Sequence, residues 1–288
     1  MSIDSAGSFL ADETMRRALV ACIAVAVGSA PIGVFLTLRR MSLMGDALSH
    51  ALLPGVAVGF VFAGGSMLAM MVGGFVAGLV VALGAGALSR FTAQKEDAHL
   101  AALFVVALAT GVVIVTSAGQ DDELLHILFG SPFALQPANV VVLAAIATVT
   151  LIGLALLLRP LIMECFDPVF LRSVSGWSGP AHYAFLGLVV LNLVAAFYAV
   201  GTLLALGLMI LPAVCARYWR RDLLGMMALS IIIGVLGLLA GLALAVRAGI
   251  EPGPAIVLVL AGFFVVSFSL GRHGSLFARR TSRVHLEA

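Results

Sequence analysis

Charge is what this sequence lacks most. Asp, Glu, Lys and Arg make up 10% of its 288 residues while 62% are hydrophobic; a soluble domain carries roughly 25% charged residues. So little polar surface cannot cover a water-soluble fold of this length, and the chain is read as a polytopic membrane protein. Lysine is nearly missing. Lys95 is the only one, and no segment matches G-x-x-x-x-G-K-[ST], which excludes ATP hydrolysis through a Walker A loop. Cys22, Cys165 and Cys215 are scattered and two of them lie in apolar runs, so neither a disulfide framework nor a zinc knuckle is expected. No H-E-x-x-H or comparable set exists to serve a membrane-embedded metallo-enzyme. The net charge of +2 is too small to point to nucleic acid. The N-terminal stretch "MSIDSAGSFLADETMRR" lacks a basic start, a following apolar core and a small-residue cleavage site. The first apolar run is therefore expected to span the membrane rather than to be removed.

What is present is a series of apolar runs near the roughly 20 residues that a spanning helix needs. They cover about 18–38, 47–63, 66–88, 99–118, 138–158, 223–246 and 253–271. The stretch 182–216 is too long for one span, and Gly201-Thr202 near its middle is expected to divide it into two helices. The fold class is accordingly all-α, a bundle of about nine spans, with eight and a re-entrant element as the other count. No linker or second soluble domain interrupts 1–288. Positive charge gathers in "LRRMSLMG" (38–45), "SRFTAQKED" (89–97), 159–180, "RYWRRD" (217–222) and the tail 272–288, whereas 118–137 is acidic. The excess of Lys and Arg on cytoplasmic loops puts these basic segments inside, 118–137 outside and, with nine spans, the N-terminus outside. Gly74-x-x-x-Gly78 and Gly237-x-x-x-Gly241 are small-residue steps that allow close helix approach, read first as ordinary packing within one bundle.

The chemistry concentrates in "RRMSLMGDALSHALLPGVAVGF", residues 39–60. Asp46 and His50 are four apart and share one helical face. Ionisable groups at membrane depth mark an ion or proton path. Pro54 follows at the same spacing; it has no N–H and displaces the carbonyl four residues back, which is that of His50. Asp46 also has the type and place of an N-cap for the second span, and the two roles are compatible. One pair supplies two ligands. Two copies about a two-fold axis supply two nitrogens and two carboxylates, a set suited to Zn²⁺ and acceptable to Mn²⁺, so the count itself points to a homodimer with the site on its axis.

Other polar clusters are less specific. Asp121, Asp122, Glu123 and His126, in "QDDELLH", form either a docking point on the outer loop or a solvated acidic turn. "KEDAH" (95–99) reads as a helix start. His182 and Asn192 read as interhelical hydrogen-bonders. In the inner loop 164–180, Asp167-Pro168 reads as an N-cap followed by proline at the first helical position, opening a short helix through Val169 to Val174 that ends toward Gly176. Such a helix at the cytoplasmic face is a handle for a soluble partner or a plain connector.

The stretch "RRMSLMGDALSHALLPGVA" resembles the signature of the zinc/manganese/iron permeases of bacterial ABC importers. "FDPVFLRSVSG" (166–176) resembles that family's ATPase-coupling segment and "AVGTLLALGLMILPAVCAR" (199–217) its late V-G-x-L-L…P-A-x-x-A-R segment; the likeness covers nearly the whole chain. It implies a homodimeric multi-pass permease of the bacterial inner membrane. Cytoplasmic ATPase subunits would couple through 164–176 (Asp167, Pro168, Phe170, Leu171 and Gly176), and an extracytoplasmic metal-binding protein would dock outside. Asp46 and His50 match the family's acidic/His pair in the metal pathway. No permanent cofactor is expected; Zn²⁺ or Mn²⁺ is cargo, with a lean to zinc that rests on the four-ligand count. The other reading is a self-sufficient, proton-coupled secondary transporter with Asp46 and His50 as its relay.

Overall fold

A computed structural model describes residues 13–63, 66–92, 96–118, 136–166, 171, 176, 178–273 and 275. Among these, every regular element is an α-helix: α1 (Glu13–Leu38), α2 (Ser42–Ala51), α3 (Leu53–Ala63), α4 (Met67–Phe91), α5 (Glu96–Ala118), α6 (Pro137–Phe166), α7 (Ser178–Val200), α8 (Thr202–Trp219), α9 (Leu223–Ala248) and α10 (Pro252–Leu270). With α2 and α3 taken as one broken span, nine described helices are long and apolar enough to cross a membrane. The expected all-α bundle of about nine spans is therefore what the chain forms. In lipid, a backbone amide must bond within its own segment, and only a helix or a closed barrel allows that.

The breaks between spans follow local chemistry. Gly201 takes φ 83 and separates α7 from α8, a backbone conformation that costs a residue with a Cβ dearly. Asp222 caps α9 by accepting the Gly225 amide at 2.8 Å. Gly249, in the left-handed region at φ 65, closes the same helix, with the Ile250 amide bonding the Ala245 carbonyl at 3.1 Å, a Schellman closure. α6 runs eight residues past its expected end at 158, through Pro160, so Glu164, Cys165 and Phe166 belong to its last turn and not to the loop that follows. Apolar side chains continue that far, and a proline inside a spanning helix is tolerated when neighbours re-satisfy the freed carbonyl.

α1 and α7 form the centre. Ala21, Ala26, Ile32 and Phe35 of α1 and Phe185, Leu186, Val189, Val190 and Leu193 of α7 are inaccessible. α1 packs against α6, α7, α8 and α9, and α4 against α3, α5 and α7. α5 is at the other extreme: Val105, Val106, Val112 and Val113 are exposed, an apolar face suited to lipid or to another apolar surface. The basic segments share one end of the bundle. Arg39, at the foot of α1, pairs with Glu164, while His182 meets Glu96. A cavity of about 600 Å³ gathers Thr37, Leu38, Arg217, Arg220, Arg221 and His273 at that end.

Close approach depends on missing side chains. A Cβ on Gly78 would meet Leu52 Cδ2 at 2.5 Å and Val190 Cγ1 at 2.8 Å, and one on Gly237 would meet Leu260 Cγ at 2.8 Å. Both glycine steps thus serve packing inside this one chain. α3 crosses α4 so closely that a Cβ on either Gly55 or Gly73 would fall onto the other's carbonyl oxygen. Gly73→Ala is expected to force these helices apart, with a loss of about 1–3 kcal/mol seen as a lower thermal midpoint of the purified protein in detergent. An unchanged midpoint would show that the crossing is looser than described.

Candidate functional site

Asp46 and His50 lie on α2, whose start decides between their two roles. Arg40 adopts φ 59, rare for a residue with a side chain, and reverses the chain after α1. The Met41 amide then bonds back to the Leu36 carbonyl at 2.9 Å, and α2 begins at Ser42. Asp46 is consequently inside the helix and caps nothing. The N-cap reading is overturned because the turn at Arg40 starts the helix five residues earlier than a cap at Asp46 would.

Within α2, Met44, Gly45, Ala47, Leu48, Ser49 and Ala51 are buried. Asp46 and His50 face the other way, their side chains 58% and 39% exposed, with Asp46 Oδ1 3.8 Å from His50 Nε2. The imidazole lies beside Phe104 of α5, ring centroids 6.4 Å apart. The Ser49 hydroxyl is buried and donates to the Asp46 carbonyl at 2.8 Å. Two donors thus share a partly open face of an apolar bundle, and no group of three or more His, Cys, Asp and Glu able to hold a metal occurs among the described residues. One chain offers two candidate ligands on this face.

Pro54 breaks the second span as its chemistry dictates. The helix stops at Ala51 and restarts at Leu53, with the Val56 amide on the Leu52 carbonyl at 3.0 Å. The His50 carbonyl, robbed of its usual donor at position 54, is instead approached by the Leu52 amide. The expectation of a free oxygen beside the imidazole is corrected accordingly: the turn is loosened, but that oxygen is engaged. α5 abuts the break closely, as a Cβ on Gly111 would sit 3.0 Å from the Pro54 nitrogen.

Of the expected coupling residues, Leu171 is helical and buried and Gly176 lies in a turn, whereas Asp167, Pro168 and Phe170 lie outside the described residues, as do Asp121, Asp122, Glu123 and His126 of the outer loop. Asn192 is an interhelical hydrogen-bonder as expected, donating to Thr150 Oγ1 at 2.6 Å and to the Leu188 carbonyl.

Sequence reasoning missed the largest polar assembly. Arg39 Nη2 contacts Glu164 Oε1 at 2.5 Å and His182 Nδ1 at 2.9 Å. His182 Nε2 reaches Glu96 Oε1 at 3.2 Å, and Nδ1 lies 3.4 Å from Glu164 Oε1. With Nδ1 accepting from the guanidinium, Nε2 carries the proton and donates to Glu96. Arg39 also stacks over Phe185, its Cζ 5.2 Å from the ring centre. The Arg39 and Glu164 side chains are each only 7% exposed. The available signal was position: all four residues stand at or near the ends of spans, at one end of the bundle.

The ABC 3 transport family model matches residues 11–271. The chain is 35% identical over 254 residues to the manganese import system permease protein ScaB of Streptococcus parasanguinis, covering 88% of this chain and 89% of that one. It is 32% identical over 253 residues to the chelated iron transport system membrane protein YfeD of Yersinia pestis, covering 88% and 84%. In fold it is similar to PsaBC from Streptococcus pneumoniae solved in complex with Fab, with a TM-score of 0.85 at 28% identity, over 97% of this chain and all of that one.

The break beside His50 is itself testable. Pro54→Ala returns an amide donor to the His50 carbonyl and removes the ring clash, so α2 and α3 are expected to join into one helix. Hydrogen exchange of the Leu52–Val56 amides should then slow; exchange equal to that of the unaltered protein would mean the break is set by Gly111 and its neighbours rather than by proline.

Proposed function

Since the chain belongs to the ABC 3 transport family, we propose that it is the membrane permease of an ATP-driven importer of a divalent transition metal, with Mn²⁺ the first candidate cargo. The nine apolar helices among its described residues make it an integral membrane protein, placed by this reading in the bacterial inner membrane. The observation that carries the metal reading is the Asp46–His50 pair. One carboxylate and one imidazole, 3.8 Å apart and half-open on a single helical face, attract a cation without completing its coordination. A second copy of the chain completes the set, and the exposed face of α5 beside His50 is an apolar surface for such a copy. ATP hydrolysis belongs to separate subunits, which this reading places against 167–176, and an extracytoplasmic binding protein delivers the ion from the other side.

Manganese stands ahead of zinc as the proposed cargo. The relatives are named for manganese and for chelated iron, and two imidazoles with two carboxylates accept Mn²⁺ as well as Zn²⁺, so the ligand count behind the lean to zinc does not separate them. A transported ion must also leave. Two ligands per chain, next to a helix loosened at Pro54, suit transient binding better than storage.

Asp46→Ala and His50→Ala are each expected to reduce ATP-dependent Mn²⁺ uptake at least about tenfold, the scale on which loss of groups around a metal acts, in proteoliposomes holding the assembled transporter. Normal uptake in both would remove these residues from the path, and faster uptake of Zn²⁺ or Fe²⁺ than of Mn²⁺ would reassign the cargo. Uptake by this chain alone under a pH gradient would replace the ATP-driven reading with a proton-coupled one. Asp167→Lys is expected to leave the subunits assembled while lowering metal moved per ATP hydrolysed; an unaltered ratio would count against coupling at that residue.

A further inference from the structure

We propose that the basic end of the bundle holds a site for an anionic phospholipid, whose phosphodiester sits in the cavity lined by Arg217, Arg220, Arg221 and His273. The site needs only that the chain spans a membrane and stands apart from the importer reading. The cavity lies where α1, α8, α9 and α10 end together. Its volume of about 600 Å³ falls within the roughly 300–1,000 Å³ of small-ligand sites.

The charge in this space is largely uncompensated. Arg220 Nη1 stands 4.0 Å from Asp222 Oδ1 in an exposed pair, and Asp222 Oδ2 also accepts the Gly225 amide. Arg217 and Arg221 have no ion pair among the described residues. A guanidinium presents a planar fork of donors that matches two oxygens of a phosphate. Other donors contribute little here. The Thr37 hydroxyl is engaged by the Gly33 carbonyl, and the cap at Asp222 already satisfies the start of α9. An anion in the cavity would therefore be held by the arginine side chains.

Two observations favour a lipid over a free phosphate. Leu38, Val214 and Met226 line the same cavity; they suit the glycerol and first methylenes of a lipid and offer nothing to a bare ion. Tyr218 and Trp219 sit in sequence among the arginines, and these two residue types concentrate at the level of the headgroups. Basic pockets between spans at that level bind anionic headgroups. The wall itself is built without the arginine charges. Tyr218 lies edge-on to Phe264 and Phe268, ring centroids 6.4 and 6.1 Å apart, and Trp219 Nε1 donates to Ser267 Oγ at 3.0 Å. The His273 amide donates to the Tyr218 carbonyl at 2.8 Å. Gly271 admits that approach, since a Cβ there would lie 2.6 Å from Tyr218 Cβ.

The test is lipid binding to the purified full-length protein in detergent, followed by native mass spectrometry. The probes are dioleoylphosphatidylglycerol, dioleoylphosphatidylcholine and inorganic phosphate. Phosphatidylglycerol is expected to bind in preference to phosphatidylcholine. Arg217→Gln combined with Arg221→Gln is expected to weaken it by about fivefold per arginine, while lysine at both positions retains most of the preference. Arg247→Gln, in the last turn at the other end of α9, is expected to leave binding unchanged. Arg221→Glu alone serves if the double variant does not fold. Equal binding of the two lipids, unchanged affinity in the double variant, or an equal loss in Arg247→Gln would overturn the site. Displacement of phosphatidylglycerol by an equal concentration of inorganic phosphate would assign the cavity to the free ion and overturn the lipid. Loss of ATPase-subunit assembly in the double variant, with lipid preference intact, would make these arginines a protein contact and equally overturn it.

Discussion

Within hydrocarbon there is no water to accept a stray hydrogen bond, and this requirement orders the rest of the structure. It makes every described element a helix. It lets the chain pack by leaving side chains out, as at Gly55 and Gly73, because association of apolar helices in lipid relies on close contact rather than on expulsion of water. It also makes each polar exception meaningful. Asn192 bonds to Thr150 and so pins α7 to α6; Trp219 bonds to Ser267 at 3.0 Å and so ties α8 to α10. Where the requirement is not met inside the chain, at Asp46 and His50, the remaining valence is directed outward.

Two charged assemblies in this bundle answer the same requirement differently. At the inner end, Glu96, Glu164 and His182 gather oxygens and nitrogens that another protein would offer to a metal. Arg39 occupies that position with its own positive charge, and a guanidinium is not exchanged for an ion. On α2, Asp46 and His50 have no basic residue of their own to neutralise them in the described contacts. One assembly carries its own cation in Arg39, and the pair on α2 carries none in the described contacts.

The spans were legible because their signal is local: long apolar runs separated by basic or acidic ends, with Gly201 marking a turn that needs positive φ. Asp46 and His50 were legible for a similar reason, since an i, i+4 spacing in an apolar run is a pattern within one helix. Asp46 was misread as a possible cap because the true start of α2 depends on Arg40 at φ 59, and arginine carries no sign of a left-handed turn. Of the network around Arg39, only His182 was legible, as an interhelical hydrogen-bonder; its partners were not. Arg39 and His182 are 143 residues apart, Glu96 and His182 are 86 apart, and each alone looks like an ordinary interfacial charge. Only the packing of α1, α5, α6 and α7 around Phe185 brings them together.

Local chemistry also explains why the helix that carries Asp46 and His50 is short and broken instead of continuous. An unbroken span from 42 to 63 would move as a rod, and a push at its foot would displace its outer end as much as its inner one. Pro54 and the Leu52 break divide it, so α2, which carries Asp46 and His50, is separate from α3, which packs closely on α4 at the Gly55–Gly73 crossing. Gly111 of α5 fills the space against Pro54 with backbone alone, leaving the break room to open without a side chain in its way. A residue with a Cβ at 111 would press on the Pro54 nitrogen at 3.0 Å and on Leu53 Cβ at 3.1 Å, so the break beside His50 depends on a side chain left out of α5.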